Sequence, residues 1–308
     1  MSANEVVVLC PGQGAQTVGM GKSWYEASGA AKAVFDEADE VLGDELGAPL
    51  SAICFGGPTE RLNQTDVSQP AIFTCSVASY RGLVEREGER PVRAAGGLSL
   101  GEYTALHLAG VFSFAEGLRL VARRGKLMQE ASEASVGGMV ALIGADEGQA
   151  EVVCRRAEED QVLVPANFNA PGQVVLSGDV AACDRAVKVA QEVELRATPL
   201  TVAGAFHSPL MQPAADRMAA FLSDIAFQKP NITVWSNVTA EPHSSEDTEL
   251  LKRRLVEQMV RPVKWAQSCR GMPTDGTIEF HELAPGAVLR GLMRRIDRKV
   301  KVTSHDQP

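Results

Sequence analysis

The sequence RAAGGLSLGEYTALHL, residues 93–108, joins a short apolar run to a helical pattern. Arg93–Leu98 predicts a buried strand, and Leu100–Leu108 predicts an amphipathic helix. Between them, GLSLG at 97–101 fits the G-x-S-x-G pattern of a nucleophilic serine on a sharp strand-to-helix turn. The glycines relieve steric clashes at such a turn, and the helix N-terminus directs N–H groups at developing negative charge. The stretch therefore predicts an α/β fold with Ser99 as candidate nucleophile.

Strand and helix signals alternate on both sides of this junction. Val6–Cys10 is an apolar run that ends in a glycine turn, as a buried parallel strand does. We therefore predict helices that cover a mostly parallel sheet, and a frayed end over the last six residues. The remaining predicted elements are helices over roughly 22–43, 69–87, 114–131, 209–225, 248–260, 265–270 and 287–295, and strands over 93–98, 232–235 and 277–283.

The segment from 133 to 204 has a different rhythm. Its apolar patterns follow the order β-α-β-β-α-β, which is the ferredoxin-like unit. We predict a small subdomain over 133–204, inserted into a large α/β subdomain formed by 1–132 and 205–308. Its predicted strands are 139–143, 162–168, 174–176 and 197–200, and its helices are 147–157 and 181–192.

Composition and charge exclude several classes of protein. The net charge of −9 argues against nucleic acid as the main partner, because phosphate binding needs a basic face. No segment is long and apolar enough to cross a bilayer, and no basic region precedes Val6 as in a signal peptide. The six cysteines form no CxxC pair and have no histidine at metal-ligand spacing. We therefore expect a cytoplasmic protein without a metal.

A nucleophilic serine needs a base, and the chain has five histidines. His107 lies eight residues along the predicted helix from Ser99, about 12 Å away, and points elsewhere. His207 lies between a glycine-containing turn and a proline-started helix, which makes it the first candidate. His281 ends a strand and is the second candidate. The other two are expected in exposed polar loops: His243 and His305.

Seven segments, running in order from Cys10 to Gly286, resemble malonyl-CoA:acyl carrier protein transacylases. The resemblance implies a hydrolase-like α/β core with an inserted ferredoxin-like subdomain, in agreement with the periodicity. The segments are CPGQGAQ at 10–16, GLSLGEYTAL at 97–106, RRGKLMQ at 123–129, NFNAPGQ at 167–173, GAFHSPLM at 204–211, QMVRPVKW at 258–265 and ELAPG at 282–286.

The resemblance also implies roles for individual residues. Ser99 would be the acylated nucleophile, and His207 would be its general base and acid. The backbone N–H groups of Gln13 and Leu100 would form the oxyanion hole. Arg124, the arginine that immediately precedes glycine, would bind the malonyl carboxylate through its planar fork, a pairing that lysine cannot reproduce.

Other positions would shape the pocket around these groups. Gln258 would orient His207 through its backbone carbonyl, in place of the acid of a hydrolase triad. Phe206 would leave little space for an α-methyl branch and so favour malonyl over methylmalonyl groups, and Asn167 would line the pocket. Leu98 departs from the histidine that is common before the nucleophile, which puts the fine substrate preference in question.

The implied activity is transfer of malonyl from malonyl-CoA to the phosphopantetheine thiol of acyl carrier protein. It would proceed through a malonyl-serine intermediate with ping-pong kinetics, for fatty acid biosynthesis, and without metal or cofactor, since malonyl-CoA is a substrate. The alternatives are a polyketide acyltransferase and a serine esterase or thioesterase. Dinucleotide binding at 11–17 is a weaker alternative, because Thr17 replaces the third glycine.

A basic segment near the end of the chain is a candidate docking patch for the acidic carrier protein. The alternative is an ordinary solvated helix with a basic last turn. We expect a monomer. The arginines of the patch are Arg290, Arg294, Arg295 and Arg298.

Overall fold

A computed structural model describes residues 5–308. No helix in this part of the chain is long and apolar enough to span a membrane. The strands are β1 (Val6–Cys10), β2 (Val92–Gly97), β3 (Gly137–Ile143), β4 (Leu163–Ala170), β5 (Gln173–Asp179), β6 (Arg196–Pro199), β7 (Thr233–Val234), β8 (Glu279–Leu283) and β9 (Val302–His305). The helices are α1 (Lys22–Ala27), α2 (Gly29–Leu42), α3 (Leu50–Gly56), α4 (Thr59–Leu62), α5 (Thr65–Glu87), α6 (Leu100–Leu108), α7 (Phe114–Glu133), α8 (Glu147–Ala157), α9 (Val180–Glu192), α10 (Gln212–Ser223), α11 (Thr248–Gln258), α12 (Trp265–Gly271) and α13 (Val288–Ile296).

The larger sheet has five parallel strands in the order β7-β2-β1-β8-β9. All five residues of β1 are buried, because the sheet is covered on both faces. Val6 and Val8 face the core formed with α2, α5 and α7, whereas Val7 and Leu9 face the cluster that contains Trp265. This arrangement confirms the predicted α/β fold with a mostly parallel sheet.

The smaller sheet is antiparallel, in the order β4-β5-β3-β6. Helices α8 and α9 pack against it and form a separate apolar core with its strands. The order and the two crossover helices are those of the predicted ferredoxin-like unit. All four strands lie within 133–204, and the division into subdomains at 132 and 205 stays a prediction.

The structure contradicts three details of the predicted order. The predicted helix over 22–43 is two helices, α1 and α2, separated at Ser28, whose hydroxyl caps α2 by accepting from the Ala31 N–H. The chain end is not frayed, since Val302–His305 is an edge strand that pairs with β8, and the Trp24 indole donates to the His305 carbonyl at 2.8 Å. The predicted helix over 209–225 begins instead with a 3₁₀ turn at Pro209–Met211, where the Ser208 hydroxyl accepts from the Leu210 N–H. Proline and this local cap favour a tighter first turn.

Three strands of the parallel sheet bring the functional groups together. The chain leaves β1 toward Gln13, leaves β2 toward Ser99, and leaves β7 toward Asn237. Because the carboxyl ends of parallel strands lie at one edge of a sheet, these three positions converge there.

Candidate active site

The turn between β2 and α6 holds Ser99 in a strained conformation, with φ 53° and ψ −103°. A Cβ on Gly97 would lie 1.9 Å from the Gly101 carbonyl carbon, and a Cβ on Gly101 would lie 2.1 Å from the Cys10 carbonyl oxygen. The two glycines of the motif therefore permit a close approach of β1, β2 and α6 that no other residue allows. The Ser99 side chain is left at the N-terminus of α6.

The side chain of His207 reaches this serine. Its Nε2 lies 2.8 Å from Ser99 Oγ, and its Nδ1 lies 2.7 Å from the Gln258 carbonyl oxygen. A carbonyl only accepts, so Nδ1 carries the proton and Nε2 is free to accept one from the serine. Burial, together with the nearby charge of Arg124, lowers the pKa of His207 to about 4. The imidazole is therefore neutral near pH 7, as a general base must be.

Arg124, on α7, is fully buried beside the serine, and burial lowers the pKa of its guanidinium. Its Nη1 donates to Gln69 Oε1 at 2.7 Å, and its Nη2 donates to Ser99 Oγ at 3.0 Å and to Gln258 Oε1 at 2.9 Å. Among residues 5–308, no carboxylate pairs directly with this guanidinium. A buried cation held only by neutral groups is a receptor for an anionic ligand.

A cavity of about 340 Å³ opens onto these groups. It is mostly apolar where the small sheet and the chain after β6 border it, and polar around the serine. The predicted pocket residues Phe206 and Asn167 both line it, as does Leu98. The rest of its wall is formed by Gln13, Gly14, Gln16, Asn63, Ser99, Arg124, Met128, Met139, Asn169, Val175, Leu200, Thr201, Val202, Ala203 and His207.

Both predicted oxyanion-hole residues belong to the region around the serine. Gln13 lines the cavity, and Leu100 is the first residue of α6, where backbone N–H groups have no partner within the helix. The N–H of Ser99 itself is occupied, because it donates to the Asn237 side-chain oxygen at 2.6 Å.

The other histidines make no hydrogen bond to the serine within residues 5–308. His107 contacts the Phe112 carbonyl through Nδ1 at 3.0 Å, and His281 Nδ1 lies 2.6 Å from His305 Nε2. The prediction of exposed loops for His243 and His305 is wrong: their side chains are buried, His243 against Glu102 and His305 in the edge strand. No group of three or more His, Cys, Asp or Glu side chains within residues 5–308 could hold a metal ion.

Four polar residues that surround the predicted set were not predicted from the sequence. Gln69 follows a helical pattern without any motif, and His243 is 141 residues from the glutamate it contacts. Two weak signals were present in the sequence. Glu102 lies in the first turn after the serine, and Asn237 follows a strand at the functional edge of the sheet.

The exposed arginines of α13 and of the turn after it lie outside the cavity. Arg290, Arg294, Arg295 and Arg298 line one surface groove, together with Pro171 of the β4–β5 turn. Arg295 donates to Gln173 Oε1 at 3.1 Å, at the start of β5. Strands β4 and β5 also contribute Asn167 and Val175 to the cavity, so the groove and the cavity share one hairpin.

Comparison with known proteins agrees with this geometry. Residues 7–304 match the family described as the acyl transferase domain. The chain belongs to this family. The acyl transferase is 40% identical over 299 residues to a malonyl CoA-acyl carrier protein transacylase of Escherichia coli strain K12, which covers 97% of this chain and 94% of that protein.

Solved structures extend the comparison to three dimensions. A malonyl-CoA:acyl carrier protein transacylase from Xanthomonas oryzae has a TM-score of 0.93 and 38% identity, covering 100% of this acyl transferase and 96% of that chain. A malonyl-transacylase in complex with a type II polyketide synthase acyl-carrier protein has a TM-score of 0.92 and 37% identity, covering 99% and 96%. The fold and the enzyme class are therefore those of the acyl transferases.

Proposed function

We propose that the protein transfers a malonyl group from malonyl-CoA to the phosphopantetheine thiol of an acyl carrier protein, for fatty acid biosynthesis. The observation that carries the proposal is the guanidinium of Arg124, which lies 3.0 Å from Ser99 Oγ and has no direct carboxylate partner in the described part of the chain. In a malonyl thioester a single methylene separates the carboxylate from the reacting carbonyl. A receptor for that carboxylate must therefore adjoin the nucleophile, as Arg124 does.

In the first half-reaction, Ser99 Oγ attacks the thioester carbonyl while His207 Nε2 takes its proton. The Gln258 carbonyl, on the opposite ring nitrogen, stabilises the imidazolium that forms. The C–S bond then breaks, and His207 returns the proton to the coenzyme A sulfur. The N–H groups of Gln13 and Leu100 hold the oxyanion, and losing one such donor costs about 10²–10³ in rate.

Arg124 determines which acyl group the enzyme accepts. Its planar fork binds the malonyl carboxylate, and its existing bond to Ser99 Oγ stabilises negative charge that develops on that oxygen. The ring of Phe206 restricts the space around the acyl group and disfavours an α-methyl branch. A simple esterase has no need for a buried cation at this position.

In the second half-reaction, the phosphopantetheine thiol of the carrier attacks the malonyl-serine, and His207 takes the thiol proton. The tetrahedral intermediate collapses and Ser99 recovers its hydroxyl proton from the imidazolium, which gives ping-pong kinetics. Water must lose the competition with the thiol, and the apolar wall of the cavity supports its exclusion.

The experiment that tests the function supplies malonyl-CoA with and without a phosphopantetheinylated carrier protein. We expect malonyl-carrier as the dominant product, with little free malonate in either reaction. Carriers from fatty acid and from polyketide synthesis are compared at equal concentration, and we expect faster transfer to the former. Dominant release of malonate would identify an esterase, and a preference for the second carrier would identify polyketide synthesis.

We also propose that the arginines of α13 dock the acidic carrier, because they form an exposed cationic groove beside the hairpin that lines the cavity. R294E/R295E should slow malonyl transfer to the carrier about tenfold and leave acylation by malonyl-CoA unchanged. The matched control is R155E/R156E, which reverses two consecutive arginines in the last turn of α8. Equal effects of the two variants would eliminate the docking patch.

A further inference from the structure

A fully buried carboxylate lies directly beneath the serine, in the first turn of α6. Glu102 Oε2 accepts from Gln258 Nε2 at 2.6 Å and from the Asn237 backbone N–H at 3.1 Å. Its Oε1 lies 2.5 Å from His243 Nε2, and both of these side chains are shielded from solvent. Three donors therefore converge on one buried charge, which compensates for the loss of its hydration.

The bond to Gln258 decides which way that amide points. The Gln258 side chain donates to Glu102 and to the Ser99 carbonyl oxygen, at 3.0 Å, and accepts from Arg124. An amide can turn over and exchange its oxygen and nitrogen, but an ionised carboxylate only accepts. Glu102 therefore holds Nε2 on its own side and presents Oε1 to Arg124. The backbone carbonyl of the same glutamine receives the proton of His207 Nδ1.

The bond to Asn237 acts on the strained turn. Asn237 is completely buried, and its backbone N–H donates to Glu102. Its side chain accepts from the Ser99 N–H at 2.6 Å and donates to the Gly97 carbonyl at 2.8 Å. These two bonds span the turn that keeps Ser99 at a positive φ, a conformation that must be held by its surroundings.

The placement of the charge also preserves the binding capacity of Arg124. Burial lowers the pKa of this guanidinium, and the nearby carboxylate of Glu102 opposes that effect. The Gln258 amide stands between arginine and glutamate, so the carboxylate compensates the cation without occupying its N–H groups. A direct ion pair would fill the fork that a substrate carboxylate needs.

We propose that Glu102 is a positioning residue, whose carboxylate fixes the orientation of Gln258 and the position of Asn237. Through these two residues it aligns the serine, the imidazole and the guanidinium. The inference rests on the proposed function, because it concerns the same reacting groups, but it assigns a role to a residue that touches none of the substrate.

The test measures single-turnover acylation by malonyl-CoA in three variants of one position. E102A removes all three bonds, and a misplacement of about 1 Å costs about 10²-fold, so we expect a loss of that size. E102D keeps the charge but loses reach to Gln258, and we expect at least about a tenfold loss. E102Q keeps one accepting oxygen for Gln258 and Asn237 but loses the charge and the bond from His243, so we expect a rate between those of wild type and E102A.

Two controls separate positioning from general stability. E282A removes another fully buried glutamate, one that accepts the Leu289 and Arg290 N–H groups of α13 at 2.7 and 2.8 Å, and should acylate within about threefold of wild type. E102A should also be non-additive with Q258A, because both remove one linkage. An E102A rate no lower than that of E282A, an E102Q rate as low as that of E102A, or additivity with Q258A would overturn the inference.

The S99A variant distinguishes a failure of the inference about Glu102 from a failure of the proposed function. If S99A is inactive and E102A acylates at the wild-type rate, the proposed function stands and the inference is wrong. If S99A still acylates, the proposed function itself is wrong.

Discussion

Two of the buried histidine clusters within residues 5–308 differ in what surrounds the imidazole. In one, His207 lies against Ser99 with Arg124 alongside. In the other, at the edge of the parallel sheet, His281 and His305 are hydrogen-bonded with their rings nearly parallel, and Arg90 lies 3.3 Å from His281 Nε2. Burial lowers the pKa of the histidines in both clusters. A shifted pKa therefore does not distinguish the reactive cluster.

The difference lies in the partners of the two arginines. Arg90 pairs with the Glu279 carboxylate at 3.0 Å, whereas the hydrogen bonds that Arg124 donates within residues 5–308 go to two amide oxygens and a hydroxyl. The second ring nitrogen differs too, because His207 faces a hydroxyl and His281 faces Arg90 and Glu279. A buried cation that lies beside a nucleophile and lacks a carboxylate partner indicates a binding site. A cation that is paired with a carboxylate indicates a structural role.

The largest expected effect comes from exchanging the two histidines for alanine. H207A removes the base and should lower the rate of acylation by malonyl-CoA about 10³–10⁴-fold. H281A lies in the other cluster and should stay within about threefold of wild type at equal folded fraction. Stopped-time assays measure the acylation rates of both variants. A larger loss of rate in H281A than in H207A would assign the base to His281.

The next effect concerns the two arginines. R124A should lower the rate of acylation by malonyl-CoA at least about 10²-fold. The loss of rate with acetyl-CoA should be about tenfold smaller, because acetyl has no carboxylate to bind. R124K should not restore malonyl specificity, since the ammonium lacks the planar fork. R90A serves as the control and should leave the malonyl-to-acetyl ratio unchanged. Equal losses of R124A on both donors would remove Arg124 from substrate recognition.

A smaller effect appears in the pH dependence of acylation. The pKa of His207, about 4, predicts that kcat/KM stays level below pH 6.5 and falls only as the pH approaches 4, where the imidazole is protonated. Arg124 is one cause of that low value, so R124A should move the midpoint upward. Profiles of kcat/KM against pH for the wild type and R124A test this prediction. A wild-type midpoint near pH 6.5 would contradict it.

The smallest effect is on stability, and it belongs to the edge cluster. The pKa of His305 is lowered to about 4, whereas a histidine in the unfolded chain titrates near 6.5. The unfolded chain therefore binds more protons between these values, and stability decreases as the pH falls through that window. H305N should weaken this dependence in urea unfolding at pH 7 and pH 5. An unchanged dependence would exclude His305 as a source.

Local patterns in the sequence predicted the parts of the site that depend on local structure. The glycines around Ser99 and the apolar strand before it specify the turn, and the periodicity of α7 and α8 specifies those helices. The prediction of an amphipathic α6 is wrong, because residues 100–106 are all buried. The edge strand β9 was missed because Val302–His305 has a single apolar residue, Val302, and therefore no apolar pattern typical of a strand, and because it pairs only with β8.

The residues that hold the site could not be predicted in the same way. The pairing of β7 with β2 brings Asn237 and His243 close to Glu102. No spacing in the sequence relates these three residues. Gln258 was named for its backbone carbonyl, whereas its side chain also links Glu102 to Arg124. Such hydrogen bonds depend on the tertiary arrangement, which hydrophobic periodicity in the sequence does not predict.

The most direct test of the account is covalent labelling of the enzyme by malonyl-CoA in the absence of carrier protein. Intact-mass spectrometry with peptide mapping should find one malonyl group, on Ser99, that is lost when a phosphopantetheine thiol is added. S99A should remain unlabelled, and R124A should label slowly. An enzyme that transfers malonyl without ever carrying it on Ser99 would contradict the account.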